Sequence, residues 1–513
     1  MYLVEHIITA RSATFEICNG YAWRAPDAHQ LYLDGQAVGD AAHNVFTLHE
    51  LHPDTEHELT VRYAGEHCGL RFRTATQRCS IDIRAFGAVG DGVTDDTAFI
   101  QAAISACPAG GVVEFPAGDW LSGPLFLKSD IDLYLARDAR LVGHPDIARW
   151  PVLPGIVSES SDEPQAYLGT WEGHPNACHA ALLNGIGVRN VRIHGDGCID
   201  ANASFLTWWS QPKQPFLGWR PRTVYFVHAE RLRVSGVKLC NSPSWTVHAL
   251  FCRDVRIADV RIESPAGSPN TDGIVPESCE QVLIAGAHIS TGDDCVAIKS
   301  GKAWIASRVR CATRNVQVSN CFMERGHGGV VIGSEMSGGV YDVSIRDCVF
   351  TGTDRGLRIK TRRGRGKAAI IDGVQLSNVT MDRVGTPFVV NSFYFCDPDG
   401  REPYVGDRRA LPVDDGTPTL RNIRVSQVDC MNVAHSAGFV LGLPERPLDG
   451  LTLRDYRVRF DADAAPGYPD RAESIQAVAR AGLYLCNIRG AALENIDIIG
   501  SIGPPITREN APE

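Results

Sequence analysis

Asp254-Val255-Arg256-Ile257, Gln281-Val282-Leu283-Ile284, Asn315-Val316-Gln317-Val318 and Asp342-Val343-Ser344-Ile345 are four copies of one pattern. A polar residue leads, and two apolar residues follow with one variable position between them. Further copies stand at Asn190-Val191-Arg192-Ile193 and Asn422-Ile423-Arg424-Val425. The alternation has the period of a strand, in which every second side chain faces the same way. The copies recur at intervals in the twenties to forties, and a unit that short cannot bury its own apolar face. Stacking the units solves this. The pattern therefore predicts an all-β chain whose main body is a right-handed parallel β-helix. A β-propeller would need four evenly spaced strands in each unit, and these repeats lack them.

Residues 1–76 read differently. Val4–Ala10, Thr14–Cys18, Gln30–Leu33, Val45–Leu48, Glu58–Tyr63 and Gly69–Thr74 have strand character and are separated by polar turns. That spacing predicts a small β-sandwich ahead of the helix. Leu51-His52-Pro53-Asp54-Thr55-Glu56-His57, followed by Leu59 and Val61, resembles the corner before a late strand in fibronectin type III domains, with His57 in place of the usual aromatic. The expected division is a fibronectin type III-like domain over 1–76 and a catalytic β-helix over 77–513. Such a first domain is expected to be a spacer or a cap beside a groove, with no chemistry of its own.

From Ile81 the chain reads Phe86-Gly87-Ala88-Val89-Gly90-Asp91-Gly92, then Thr94-Asp95-Asp96-Thr97, and runs into Ala98–Cys107. The last segment has apolar residues at helical spacing behind a Thr/Asp N-cap. This opening resembles the start of pectin-degrading β-helix proteins, where a short helix covers the first coil. Its glycines match neither a Walker nor a dinucleotide-binding spacing.

Composition narrows the partners. The 513 residues are 44% hydrophobic and 21% charged, and no apolar run is long enough to cross a membrane. A net charge of −10 argues against nucleic acid. The start, Met1-Tyr2-Leu3-Val4-Glu5-His6, lacks the basic and apolar regions of a signal peptide. The 16 cysteines form no Cys-x-x-Cys pair and no zinc-type cluster. As written, the sequence suits a reduced cytoplasmic protein; a secreted or periplasmic one follows if a leader has been removed. Neither a cofactor nor a metal is expected.

The chemistry is concentrated between residues 270 and 360. Asn270-Thr271-Asp272-Gly273, Gly292-Asp293-Asp294-Cys295, Gly326-His327-Gly328-Gly329 and Arg358-Ile359-Lys360 follow one another, separated by apolar segments. In a β-helix, residues one coil apart are stacked at about the strand spacing of 4.8 Å. Asp272 and Asp293 are therefore expected to be vertical neighbours, with His327 one coil later if Lys302–Thr313 bulges out. Arg358 and Lys360, two apart in a strand, share a face. Adjacent Asp293 and Asp294 reach one groove only if the backbone bends, and Gly292 permits that. Three close carboxylates cannot all ionise easily, so at least one is expected to keep its proton as a general acid while its neighbours activate water.

The order and content of these motifs resemble glycoside hydrolase family 28, the polygalacturonases, and within it the bacterial exo-acting branch. Val331-Ile332-Gly333-Ser334-Glu335-Met336-Ser337-Gly338-Gly339 and Asn241-Ser242-Pro243-Ser244-Trp245 with His248 belong to the same resemblance. It covers about residues 81–500. It implies an inverting glycosidase acting on the α-1,4 bonds of polygalacturonate or oligogalacturonides. Residue by residue, it implies Asp293 as general acid, Asp272 and Asp294 as the pair that positions and deprotonates water, and His327 as the group that tunes the acid. It also implies Arg358 and Lys360 as holders of a substrate carboxylate, Asn270 as a substrate contact, and Tyr394 as the aromatic near the site. Inversion is expected to need carboxyl groups roughly 6.5–9.5 Å apart. Two inserts, around His144–Cys178 and Pro387–Leu420, would close one end of the groove and favour exo action. The alternatives are an endo-polygalacturonase or rhamnogalacturonan-type hydrolase, then a calcium-dependent pectate lyase using Gly-Asp-Asp, then a non-catalytic sugar-binding β-helix.

Overall fold

The polar residue that opens each repeat adopts a left-handed backbone. Its φ is 51° at Asn190, 54° at Asp254, 59° at Gln281, 54° at Asn315 and 56° at Asp342 and Asn422. Asn and Asp enter this region at lower cost than most side chains, and Gly373 and Gly450 take the same place ahead of Val374 and Leu451. The opening residue lies within the first few residues of its strand, and the residue after it turns its side chain inward.

In the computed structural model, which describes residues 1–157 and 166–512, those inward positions form continuous stacks. Val191, Leu232, Val255, Val282, Val316 and Val343 pair in register from coil to coil, and Val374, Ile423 and Leu451 carry the column onward. All are buried in one long apolar core. Two parallel sheets, of 21 and 12 strands among the described residues, wrap this core as a right-handed parallel β-helix. A ten-residue helix, Thr97–Ala106, packs Ile100, Ala103 and Ile104 onto the first coil. Asp96 stands at its N-cap without capping it. Its carboxylate instead accepts the backbone N–H groups of Val89 and Gly90.

Ahead of the helix, Tyr2–Ile8, Ala13–Cys18 and Val45–Leu48 form one antiparallel sheet, and Gln36–Ala41, His29–Leu33, Glu56–Tyr63 and Glu66–Arg73 form another. The two sheets enclose Phe15, Phe46, Leu59 and Phe72. Gln36–Ala41 escaped the sequence reading because it is an almost fully exposed edge strand with no apolar alternation. His57, in the place of the usual aromatic, stacks at 5.3 Å on Phe72 and reaches Asp34 through Nδ1 at 2.8 Å.

These residues lie against the 21-stranded sheet. Ile7 and Val45 pack on Ala258 and Ala285, Trp23 stacks on Phe322 at 5.7 Å, and Arg346 pairs with Glu16 at 3.0 Å. The cavity described below receives no residue from 1–76. The expected cap beside a groove is therefore not what this contact forms; the sandwich docks on a different sheet from the one carrying the cavity.

Candidate active site

The 12-stranded sheet sets the positions. Ile274–Glu277, Val296–Ile298, Val330–Ile332, Arg355–Lys360 and Thr386–Asn391 are consecutive strands in parallel register, with Val296 opposite Ile274 and Val330, and Ile332 opposite Ile298 and Ile359. Asp272 lies just before the first strand and Asp293-Asp294 just before the second. Gly273 N–H donates to the carbonyl of Asp294 at 3.0 Å, and His327 N–H donates to that of Asp293 at 3.0 Å, so three turns are stitched one above another. On the fourth strand Leu357 and Ile359 point into the core, while Arg358 and Lys360 share the outer face.

Gly292 serves by its smallness. A Cβ there would lie 2.3 Å from the carbonyl oxygen of Ser268 and 2.6 Å from its Oγ. Only glycine lets the turn before Asp293 come this close to the preceding coil. The expected bulge after the second strand is a short helix, Ala303–Val309.

Asn270, Asp272, Asp293, Asp294, His327, Arg358, Lys360 and Tyr394 all line one cavity of about 520 Å³. One oxygen from each of the three aspartates lies within 4.8 Å of the others. That is tighter than the spacing expected from sequence, although a nearest-oxygen distance sets only a lower bound on the separation of carboxyl groups.

The three carboxyls are not equivalent. Asp272 and Asp294 are only 3% and 1% exposed, whereas Asp293 is half-buried and faces the cavity. Burial drives Asp272 well above the usual carboxylate range, and the charge of Asp293 adds to the rise. Burial likewise raises Asp293, with help from Asp294. Burial pushes Asp294 the same way, but Lys360, Arg358 and Lys299 outweigh it and hold Asp294 at about 2. Lys360 Nζ donates to its Oδ2 at 2.8 Å, Arg358 Nη1 lies 3.8 Å from Oδ1, and Oδ1 has no hydrogen-bond partner among the described residues. Burial thus biases Asp272 and Asp293 toward their protonated forms, while the lysines and Arg358 favour the ionised form of Asp294, whose buried Oδ1 is left unpaired among the described residues. The sequence reading gave Asp272 and Asp294 equal parts; the packing of lysines separates them.

His327 is half exposed and donates from Nδ1–H to Asp354 at 2.7 Å. That hydrogen bond raises its pKa. Arg358, expected to be open to a ligand carboxylate, is 3% exposed and already donates from Nε and Nη2 to Asp470. Only its Nη1 is left toward Asp294. Tyr394 lies under both cations, 5.4 Å from Arg358 and from Lys360.

Several residues of the site have weak signals in the sequence. Lys299 donates to Glu335 at 2.8 Å, lies 3.9 Å from Asp272, and stands 4.8 Å above the Trp245 ring. Its only mark is that it ends the apolar run Val296-Ala297-Ile298 in a buried place. Arg220 donates to Asn270 Oδ1 at 2.6 Å and so fixes that side chain. Asp470 lies in an irregular segment far along the chain with no motif around it.

The two inserts do reach the cavity. The first contributes Glu172 and is tied down by Arg222, which donates to the carbonyl of Thr170 at 2.5 Å; its residues 158–165 lie outside the described residues. The second contributes Tyr394, Phe395, Cys396 and Asp397. A third wall, residues 461–480, was not anticipated and contributes Arg471.

The family model for glycosyl hydrolases family 28 matches residues 166–408, and one for rhamnogalacturonase A/epimerase, pectate lyase-like proteins matches residues 80–145. A probable polygalacturonase of Vitis vinifera is 32% identical over 387 residues, which span 74% of this chain and 74% of that protein. The chain belongs to glycosyl hydrolases family 28. An endo-polygalacturonase of Pectobacterium carotovorum subsp. carotovorum is 31% identical over 322 residues, covering 58% of this chain and 72% of that one. The crystal structure of a hyperthermoactive exopolygalacturonase from Thermotoga maritima superposes with a TM-score of 0.64 at 25% identity, covering 82% of this chain and 92% of that chain. Family 28 membership makes the protein a glycosidase, and the relatives include both endo- and exo-acting enzymes.

Proposed function

We propose that this protein is an inverting exo-polygalacturonase, hydrolysing α-1,4-galacturonosidic bonds from a chain end. The observation that carries the chemistry is the split within the aspartate cluster. Burial raises Asp293, which faces the cavity, and so favours its protonated form where a leaving oxygen can take the proton. Asp294 is held low by its cations, and its buried Oδ1, unpaired among the described residues, is the atom left to accept a proton from water. In the proposed step Asp294 removes a proton from water as the water oxygen bonds to the anomeric carbon. The glycosidic C–O bond breaks, and the proton of Asp293 passes to the departing oxygen. Asp272 holds the water against Asp294, and His327 tunes Asp293. Lys360, the Nη1 group of Arg358 and Asn270 meet the sugar carboxylate and hydroxyls, with Tyr394 beneath them.

Exo action draws support from the walls. Glu172, Phe395 and Arg471 all line the cavity, each from a long segment between strands. A pocket walled by such segments suits the end of a chain better than its middle. The first 76 residues, in this reading, are a separate domain that buttresses the coils behind the site.

Digestion of polygalacturonate and tetragalacturonate, with products sized over time, tests the proposal. Mono- or digalacturonate from the first time points supports exo-hydrolysis; a ladder of mid-sized products would make the enzyme endo-acting. One observation favours a second reading: the three aspartates offer a cation three oxygens within 4.8 Å. A calcium-dependent lyase would release products absorbing in the near ultraviolet and would stop with EDTA. Lys360 and Lys299 already supply the cluster with positive charge, so EDTA is expected to leave the rate unchanged.

A further inference from the structure

Six lysines and arginines line the cavity, and their partners differ sharply. Lys213 faces Glu172 at 3.4 Å, Lys299 faces Glu335 at 2.8 Å, and Arg355 faces Asp354 at 3.4 Å. Arg358 is bound to Asp470, and Lys360 to Asp294 at 2.8 Å. Arg471 is the exception. Among the described residues no carboxylate lies within 4.0 Å of its guanidinium, which is exposed at the cavity and stacks 5.4 Å from the Phe395 ring.

Its backbone, by contrast, is held firmly. Arg355 donates from Nε to the carbonyl of Pro469 at 3.0 Å and from Nη2 to that of Tyr468 at 2.7 Å. Asn391 donates to Asp470 Oδ2 at 2.8 Å and to the carbonyl of Arg471 at 3.0 Å. Asp470 spends both oxygens on Asn391 and Arg358, and is 1% exposed. Three side chains from two adjacent strands thus pin residues 468–471 across the sheet and leave one cation projecting from the pinned segment. A guanidinium on an aromatic ring, with no counter-charge among the described residues, is pre-organised for an external carboxylate.

From this arrangement we infer that Arg471 is a specificity-determining residue that binds the carboxylate of a galacturonate unit beyond the two flanking the scissile bond. The inference rests on the galacturonan reading above. Arg358 and Lys360 lie within 4.0 Å of Asp294, whereas Arg471 lines the same cavity without an ion pair to any of the three aspartates. A polyuronide presents one carboxylate per sugar, so a cation outside the aspartate cluster reads the charge of another unit. A methyl ester at that unit removes the charge and the contact together. Asp470 acts on both recognition points at once, by orienting Arg358 and by carrying its neighbour Arg471.

The test is a double-mutant cycle on the full chain, with Arg471→Gln as one change and substrate esterification as the other. Tetragalacturonates carrying a single methyl ester, placed at each position in turn, are compared with the free acid. Arg471→Gln is expected to raise KM for the free acid about tenfold with kcat changed less than twofold, as for one partly exposed charge-assisted contact. One ester position is expected to raise KM of the unsubstituted enzyme by the same factor and to have no further effect on Arg471→Gln. Arg471→Lys is expected to recover part of the loss. An unchanged KM in Arg471→Gln overturns the inference, as does a rise that combines additively with every ester. If the unsubstituted enzyme frees no reducing ends from tetragalacturonate at all, the galacturonan reading fails and this inference with it, a result distinct from the other two.

Discussion

Lys360 Nζ lies 2.8 Å from Oδ2 of Asp294, two strands along the sheet from the turn that carries Asp294. That contact does most to keep one carboxyl of a crowded trio ionised while its two neighbours are raised. Removing it should show in the pH profile. In Lys360→Met the pKa of Asp294 rises from about 2 toward its ordinary value and beyond. The acid limb of kcat is expected to move up by about 1–2 pH units, so activity at pH 4 falls more than at pH 6. An acid limb in the same place would show that Asp294 is not the base.

The raised pair should tax stability. A carboxyl whose folded pKa lies above its unfolded value binds more protons when folded, so stability declines as pH rises from the unfolded pKa through the folded one. At pH 7 Asp272 and Asp293 therefore oppose folding, and Asp272→Asn or Asp293→Asn is expected to raise Tm by about 1–3 °C while activity is lost. The gain should shrink below pH 3.8, the ordinary value for aspartate, where both states are protonated in the parent protein as well. Thermal unfolding at pH 7 and pH 3.5 reads both effects.

His327 owes its raised pKa first to Asp354. Asp354→Asn removes the anion, and the imidazole then loses its proton nearer its ordinary value of 6.5. The fall in kcat/KM relative to the parent enzyme should be largest above pH 6.5 and should vanish near pH 5. A loss equal at all pH values would assign Asp354 a purely structural part.

Asp470 and Arg358 form a pair with both members buried. Breaking it from one side leaves a buried cation without its anion. Asp470→Ala is expected to cost about 3–5 kcal/mol in urea unfolding. Asp470→Asn keeps the shape and should lose less. A cost below about 1 kcal/mol for the alanine variant would mean that solvent reaches Arg358.

Much of this was legible because the helix repeats its own instructions. Asn190, Asp254, Asn315 and Asp342 mark the first residues of their strands by their tolerance of left-handed backbone, and the alternating apolar residues behind them fix the inward face. Stacking then made Asp272, Asp293, His327 and Arg358 neighbours, since residues one coil apart meet whatever lies between them in sequence. The rest depended on loops, whose course no period dictates. Asp470 enters the site from the segment 461–480, and its pairing with Arg358 has no local trace. Lys299 and Glu335 find each other across 36 residues, and what makes them matter is burial, which a single charged residue after an apolar run does not reveal. Gly292 was noted for bending the chain, whereas its service is to admit Ser268.

The most direct test of the proposed chemistry is the anomer first released from tetragalacturonate, followed by proton NMR faster than mutarotation, for the parent enzyme and for Asp293→Asn. The parent should release the β-anomer from the α-linked substrate, and Asp293→Asn should fall by a factor of about 10³ or more. Release of the α-anomer, or hydrolysis by Asp293→Asn at the parent rate, would contradict an Asp293 acid working opposite an Asp294-held water.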